Sequence, residues 1–161
     1  MWNKIFLTTL AIFATILAFF MYYAWSWLRS IGNPADAYQG FEFWSALGWA
    51  GLWIATLILL LNANLVFAKT ERPWAFWATF GFFAFFITVK FFWLGAAAVD
   101  FQRAHQIDPG SAILGPFLAV FICIGFAGVV FANHYVAERS RLKIYPPEPT
   151  FEDPDNDVIE K

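Results

Sequence analysis

Lys90 is embedded in FFITVKFFWLG, residues 85–95, where its ammonium is surrounded by phenylalanine, isoleucine, valine and tryptophan. An ionisable side chain in such a run is costly to bury, and it marks an ion path, a proton relay or an electrostatic anchor. Trp93, three residues on, is expected on the same side of a helix, as a cation–π surface for that ammonium. Glu42 is the carboxylate expected at a matching height. With Ser45 and Trp49 it forms an i, i+3, i+7 set on one helical face, for which an interfacial carboxylate followed by packing residues is the simpler reading and the wall of an outward-facing notch the sharper one. Lys90 lies about eight residues from the outer end of its span, about 12 Å at 1.5 Å per residue. Snorkelling of the lysine stem covers much of that depth. A tether near the interface is therefore the simpler reading, and transport by Lys90 with Glu42 the sharper one.

The remaining reactive groups are sparse. Asn62 and Asn64 lie near one end of their span, where amides hydrogen-bond between helices. His105 and His134 belong to opposite membrane surfaces, about 20 helical residues or about 30 Å apart, too far to ligate one haem. A single cysteine, Cys123, permits no intramolecular disulfide and no CxxC site. HExxH, CxxCH, P-loop and GxSxG patterns are absent. An enzyme working at the membrane surface would have Glu42, Asp100, Arg103, His105 and Asp108 to draw on, on loops of about a dozen residues that offer little preorganisation. The expectation is a chain that is not an enzyme and holds no metal and no dedicated cofactor. A bound lipid is expected; a quinone or pigment against the phenylalanine-rich helix stays open.

The elements that must position these residues follow from composition. Of 161 residues, 60% are hydrophobic and 22% aromatic, mean hydropathy is +0.58, and only 14% are charged. Soluble domains carry about a quarter charged residues. The charges are also segregated, leaving apolar stretches of about 18 residues or more, the length that crosses a bilayer. The spacing predicts an all-α integral membrane protein with four transmembrane helices over about 5–28, 43–67, 74–99 and 113–135, packed as an antiparallel bundle. Together, residues 1–143 make one transmembrane domain. In the 29–41 connection Gly32, Pro34 and Gly40 are read as breakers; Thr70 is read as the cap of the third helix and Asp108-Pro109 as the start of the fourth.

Residues 144–161 carry six acids against one lysine, a net −5, while the preceding body has nine basic and six acidic residues, a net +3. The proline-rich acidic tail cannot bury enough apolar surface to fold alone and is expected to be extended or held by a partner. Lys4, Lys69, Arg72, Arg139, Arg141 and Lys143 lie on one side, against Arg29 and Arg103 on the other. That bias puts both termini and the acidic tail in the cytoplasm, in a membrane of the bacterial inner type.

Small residues mark expected helix seams. Gly115, Ala119, Cys123 and Ala127 recur at i+4 on the fourth span, with Gly125, Gly128 and Ala132 as a second small face; Ala46 and Ala50 are their counterparts on the second span. The third span carries phenylalanine all the way round. Missing chemistry, spare helix faces and a docking tail point to a non-catalytic accessory subunit of a larger membrane complex. Its partners would be lipids and other membrane subunits, with no nucleic acid. The alternative is a small oligomeric transporter or channel using Lys90 and Glu42.

Overall fold

The computed structural model describes residues 1–30, 32–107 and 114–144, the side chains of residues 142–144 excepted. The described residues are helical with no strand. Hydrocarbon offers no partner for a bare N–H or C=O, so apolar segments of this length satisfy their backbones internally as helices. Helix α1 spans Trp2–Trp27 and α2 Pro34–Thr70. The third span is composite, with α3 at Trp74–Thr88, a π turn at Val89–Leu94 and α4 at Gly95–Ala104. Helix α5 covers Gly115–Ile144. Four of these units, Trp2–Trp27, Pro34–Thr70, Trp74–Ala104 and Gly115–Arg141, are long and apolar enough to cross a membrane.

The second helix starts earlier than its apolar run. Asn33 Oδ1 accepts the Ala35 N–H at 3.1 Å, Pro34 takes the first helical position and Asp36 lies in the first turn. All three satisfy or favour a helix N-terminus. Pro34 therefore starts a helix and Gly40 continues it, and the connection expected over 29–41 shrinks to the few residues before Pro34. With 37 residues, α2 is about 55 Å long, well beyond the hydrocarbon thickness of about 30 Å. At its other end Thr70 does not cap the next helix. Its hydroxyl donates to the Val66 carbonyl at 2.9 Å, Glu71 closes the helix in the left-handed region at φ 59°, and Pro73 stands at the N-cap of α3. The Asp108–Pro109 start and the tail from residue 145 lie outside the described residues.

Contacts along the helices show how they alternate. Leu17 and Phe20 pack on Gly51 and Gly48, Phe67 on Phe76, Trp53 on Phe83, and Phe91 on Gly115 while Phe76 meets His134. Rising numbers on one helix meet falling numbers on the next, the signature of antiparallel neighbours. Phe6 against Trp74 and Trp25 against Trp93 run in the same sense, so α1 and the third span are parallel.

The core is aromatic. Phe76, Phe82, Phe83 and Phe86 are buried, Phe126 lies 4.1 Å from Phe83 by ring centroids, and Phe80 stacks on Phe126 at 6.4 Å. The phenylalanines thus turn mostly inward, leaving Phe85 and Phe92 exposed. The seams differ in part from the small-residue expectation. On α2 the buried line is Gly48, Leu52, Ala55 and Leu59, and Ala46 and Ala50 are exposed. Helix α2 is flanked by α1, α3 and α5, and its buried positions are decided by those three neighbours together; residue size does not decide them. On α5, Gly115 and Ala119 are buried and Cys123 and Ala127 partly so, whereas Gly128 is exposed.

Candidate functional site

A π turn has i→i+5 hydrogen bonds and holds more residues per turn than an α-helix, so it re-aims the side chains it carries. Here the Gly95 N–H reaches back to the Lys90 carbonyl. Lys90, the second residue of the turn, directs its ammonium at α2. Nζ donates to Ser45 Oγ at 2.9 Å and approaches the Ser45 carbonyl at 3.3 Å. It also lies over the Trp49 ring, 5.3 Å from the centroid. Ser45 and Trp49 thus supply the hydroxyl, carbonyl and π-face that an ammonium needs away from water.

Two adjoining hollows open around this group. One, about 530 Å³, is lined by Tyr38, Phe41, Glu42, Ser45, Trp49 and Lys90 among others. The second, about 280 Å³, shares Tyr38, Phe41, Ser45, Lys90 and Phe91 and reaches toward Gly95 and Gly115. Tyr38 is fixed by Gln102, whose Nε2 donates to the phenol oxygen at 2.9 Å across α2 and α4. Gln102 is buried, and its Oε1 has no partner among the described residues. Neither Tyr38 nor Gln102 was a candidate on sequence. Gln102 lies eight positions beyond the π turn, and its alignment with Tyr38 depends on that turn.

Glu42 lines the larger hollow with Lys90 but forms no ion pair with it among the described residues; the one ion pair there is Arg141 with Glu71, at 2.7 Å. Trp93 is not the π partner of Lys90. It stacks on Trp25 at 5.6 Å, and Arg29 stands over Trp25 at 4.3 Å. Three residues inside a π turn subtend a smaller angle than three in an α-helix, so Lys90 and Trp93 diverge.

The amide expectation resolves into a pair. Asn133 Nδ2 of α5 donates to Asn64 Oδ1 at 3.4 Å, while Asn64 Nδ2 donates to the Leu60 carbonyl at 3.0 Å. Asn133 escaped notice because a lone asparagine near a helix end carries no periodic signal. Asn62 is partly buried on a neighbouring face. His134 lies between Phe67 and Phe76, at 5.2 and 5.3 Å, whereas His105 bonds the Phe101 carbonyl at 2.9 Å through Nδ1 at the far end of α4. Among the described residues, no three His, Cys, Asp or Glu side chains gather as a metal site.

The arrangement places a cation in an aromatic cleft with a carboxylate at the rim. No family model, curated protein or solved structure matches the chain.

Proposed function

We propose that this chain is a non-catalytic subunit of a larger membrane-protein complex, with both termini and its acidic tail in the cytoplasm. The observation that carries the reading is the outer face of α5. A Cβ built on Gly125 or Gly128 meets nothing within 4 Å, and Phe121, Ile124, Val129 and Phe131 around them are exposed. Glycine costs helix stability, roughly 0.5–1 kcal/mol relative to alanine. Two glycines that bring no internal packing gain are accounted for when another helix packs closely over them, the means by which helices associate in lipid. The excess of basic residues beside the termini supports their cytoplasmic placement, and the net −5 tail suits a basic cytoplasmic surface on the partner.

Extraction from native membranes in mild detergent, followed by mass spectrometry of the co-migrating chains, tests the proposal. Stoichiometric membrane partners are expected. A monodisperse lone chain would overturn it.

The Lys90 cleft supports a second reading, an oligomeric transporter or channel, because Lys90 and Glu42 line one open hollow without neutralising each other. Solute flux in vesicles containing the purified chain, lost in Lys90→Met, is its signature; no flux across a panel of ions and small anions would remove it.

A further inference from the structure

We infer that the Lys90–Glu42 cleft binds the headgroup of an aminophospholipid, with the phosphate on Lys90 and the primary ammonium on Glu42. The inference needs only that the chain sits in a membrane, and it holds with or without partner subunits.

Depth comes first. Trp25 and Arg29 at the end of α1 form one stacked group with Trp93 of the π turn, the composition of an interfacial belt. Lys90 is three residues nearer the centre than Trp93, and Ser45 is three residues further along α2 than Glu42. Each offset is about 4–5 Å of rise. The ammonium therefore stands just below the belt, where lipid phosphates meet acyl chains, and the carboxylate stands one turn further out.

Charge comes second. Among the described residues Lys90 has oxygen partners only on Ser45 and no carboxylate at ion-pair distance. An ammonium has three N–H donors, so a donor remains for an anion. Glu42 is exposed at the mouth of the same hollow. A site with its cation inside and its anion outside is the mirror of an aminoethyl phosphate, whose phosphate lies deeper in the bilayer than its amine. Basic pockets between transmembrane helices hold lipid headgroups by the same charge-assisted bonds.

Shape comes third. The hollow of about 530 Å³ is walled by Phe41, Ala46, Trp49 and Phe91, apolar surfaces suited to the glycerol and first methylenes, and the smaller hollow continues from the same lysine toward Gly115. That favours a membrane lipid over a soluble phosphate ester.

The test is native mass spectrometry of the delipidated full chain, titrated with phosphatidylethanolamine and phosphatidylglycerol of matched acyl chains. Wild type should retain phosphatidylethanolamine about tenfold more tightly, the ratio one charge-assisted hydrogen bond supports. Glu42→Gln should reverse the preference toward phosphatidylglycerol. Lys90→Met should lower binding of both lipids about tenfold or more. Equal retention of the two lipids by wild type, or an unchanged preference in Glu42→Gln, overturns the inference; the second arm stands even if Lys90→Met fails to fold. Soluble phosphorylethanolamine competing at concentrations similar to the lipid would overturn the assignment to a membrane lipid. Failure to compete supports it.

Discussion

The indole of Trp27 occupies the space that a side chain on Gly40 would need: a Cβ there would meet three atoms of the ring. This contact closes the α1–α2 hairpin at the end opposite the termini, and it depends on a residue whose position looked like a helix breaker.

Gly40→Ala should therefore destabilise the protein by about 1–3 kcal/mol through overpacking, partly offset by better helix propensity. Gly81→Ala is the control, because a Cβ there meets nothing within 4 Å. Thermal unfolding in detergent should show a lower midpoint for the first and an equal or higher one for the second.

Gly128→Leu separates assembly from folding. The position is open within the chain, so helicity and thermal midpoint should be equal to or above wild-type values. Recovery of co-purifying subunits should fall about tenfold or more, the effect of losing about 1.4 kcal/mol of interface. Unchanged recovery would remove α5 as the docking face.

Thr56 and Thr79 are both buried, but only Thr79 spends its hydroxyl, on the Ala75 carbonyl at 2.8 Å; Thr56 Oγ1 has no partner among the described residues. Thr56→Val should stabilise by about 1 kcal/mol, since an unsatisfied buried hydroxyl costs about that much or more. Thr79→Val should be neutral or destabilising. Denaturation of the two variants side by side gives the sign of each.

The Asn64–Asn133 bond joins α2 to α5 near the terminal end. A double-mutant cycle with leucine at each position should give a coupling of about 0.6 kcal/mol, the average for such bonds in membranes. By contrast, Arg141→Gln should change stability by less than about 1 kcal/mol, because its ion pair with Glu71 is on the surface. Unfolding midpoints at low and high salt check the latter.

The four apolar spans were legible because composition alone identifies them, and the Lys90 anomaly was legible because a charge inside such a run must be paired or reach water. The helix start at Asn33-Pro34 was also present, as a capping side chain followed by proline, but hydropathy placed the boundary at Phe43, where the apolar run begins. The partners of Lys90 divided. Glu42, Ser45 and Trp49 share a face, as i, i+3, i+7 spacing requires, and all three line the cleft. Trp93 points elsewhere because α-helical geometry does not continue through Val89–Leu94. Nothing in VKFFWL announces a π turn. Ala46 and Ala50 lie outside the seams within the chain: small size permits close approach, but the neighbours decide which face they approach.

The π turn can also be read as an insertion. It accommodates a residue that an α-helix would not, and each residue in an α-helix is worth about 100° of rotation. The two parts of the third span are thereby set in independent phase: α3 aims Phe76 and Phe83 into the core, while α4 aims Gln102 at Tyr38. Winding the same residues as a regular α-helix would swing Gln102 off Tyr38 by about a quarter turn, whereas removing one residue between Val89 and Leu94 would restore regular winding with both Gln102 and the aromatic core left in place. The span therefore contains two separately indexed surfaces, and Lys90 sits at the clutch between them.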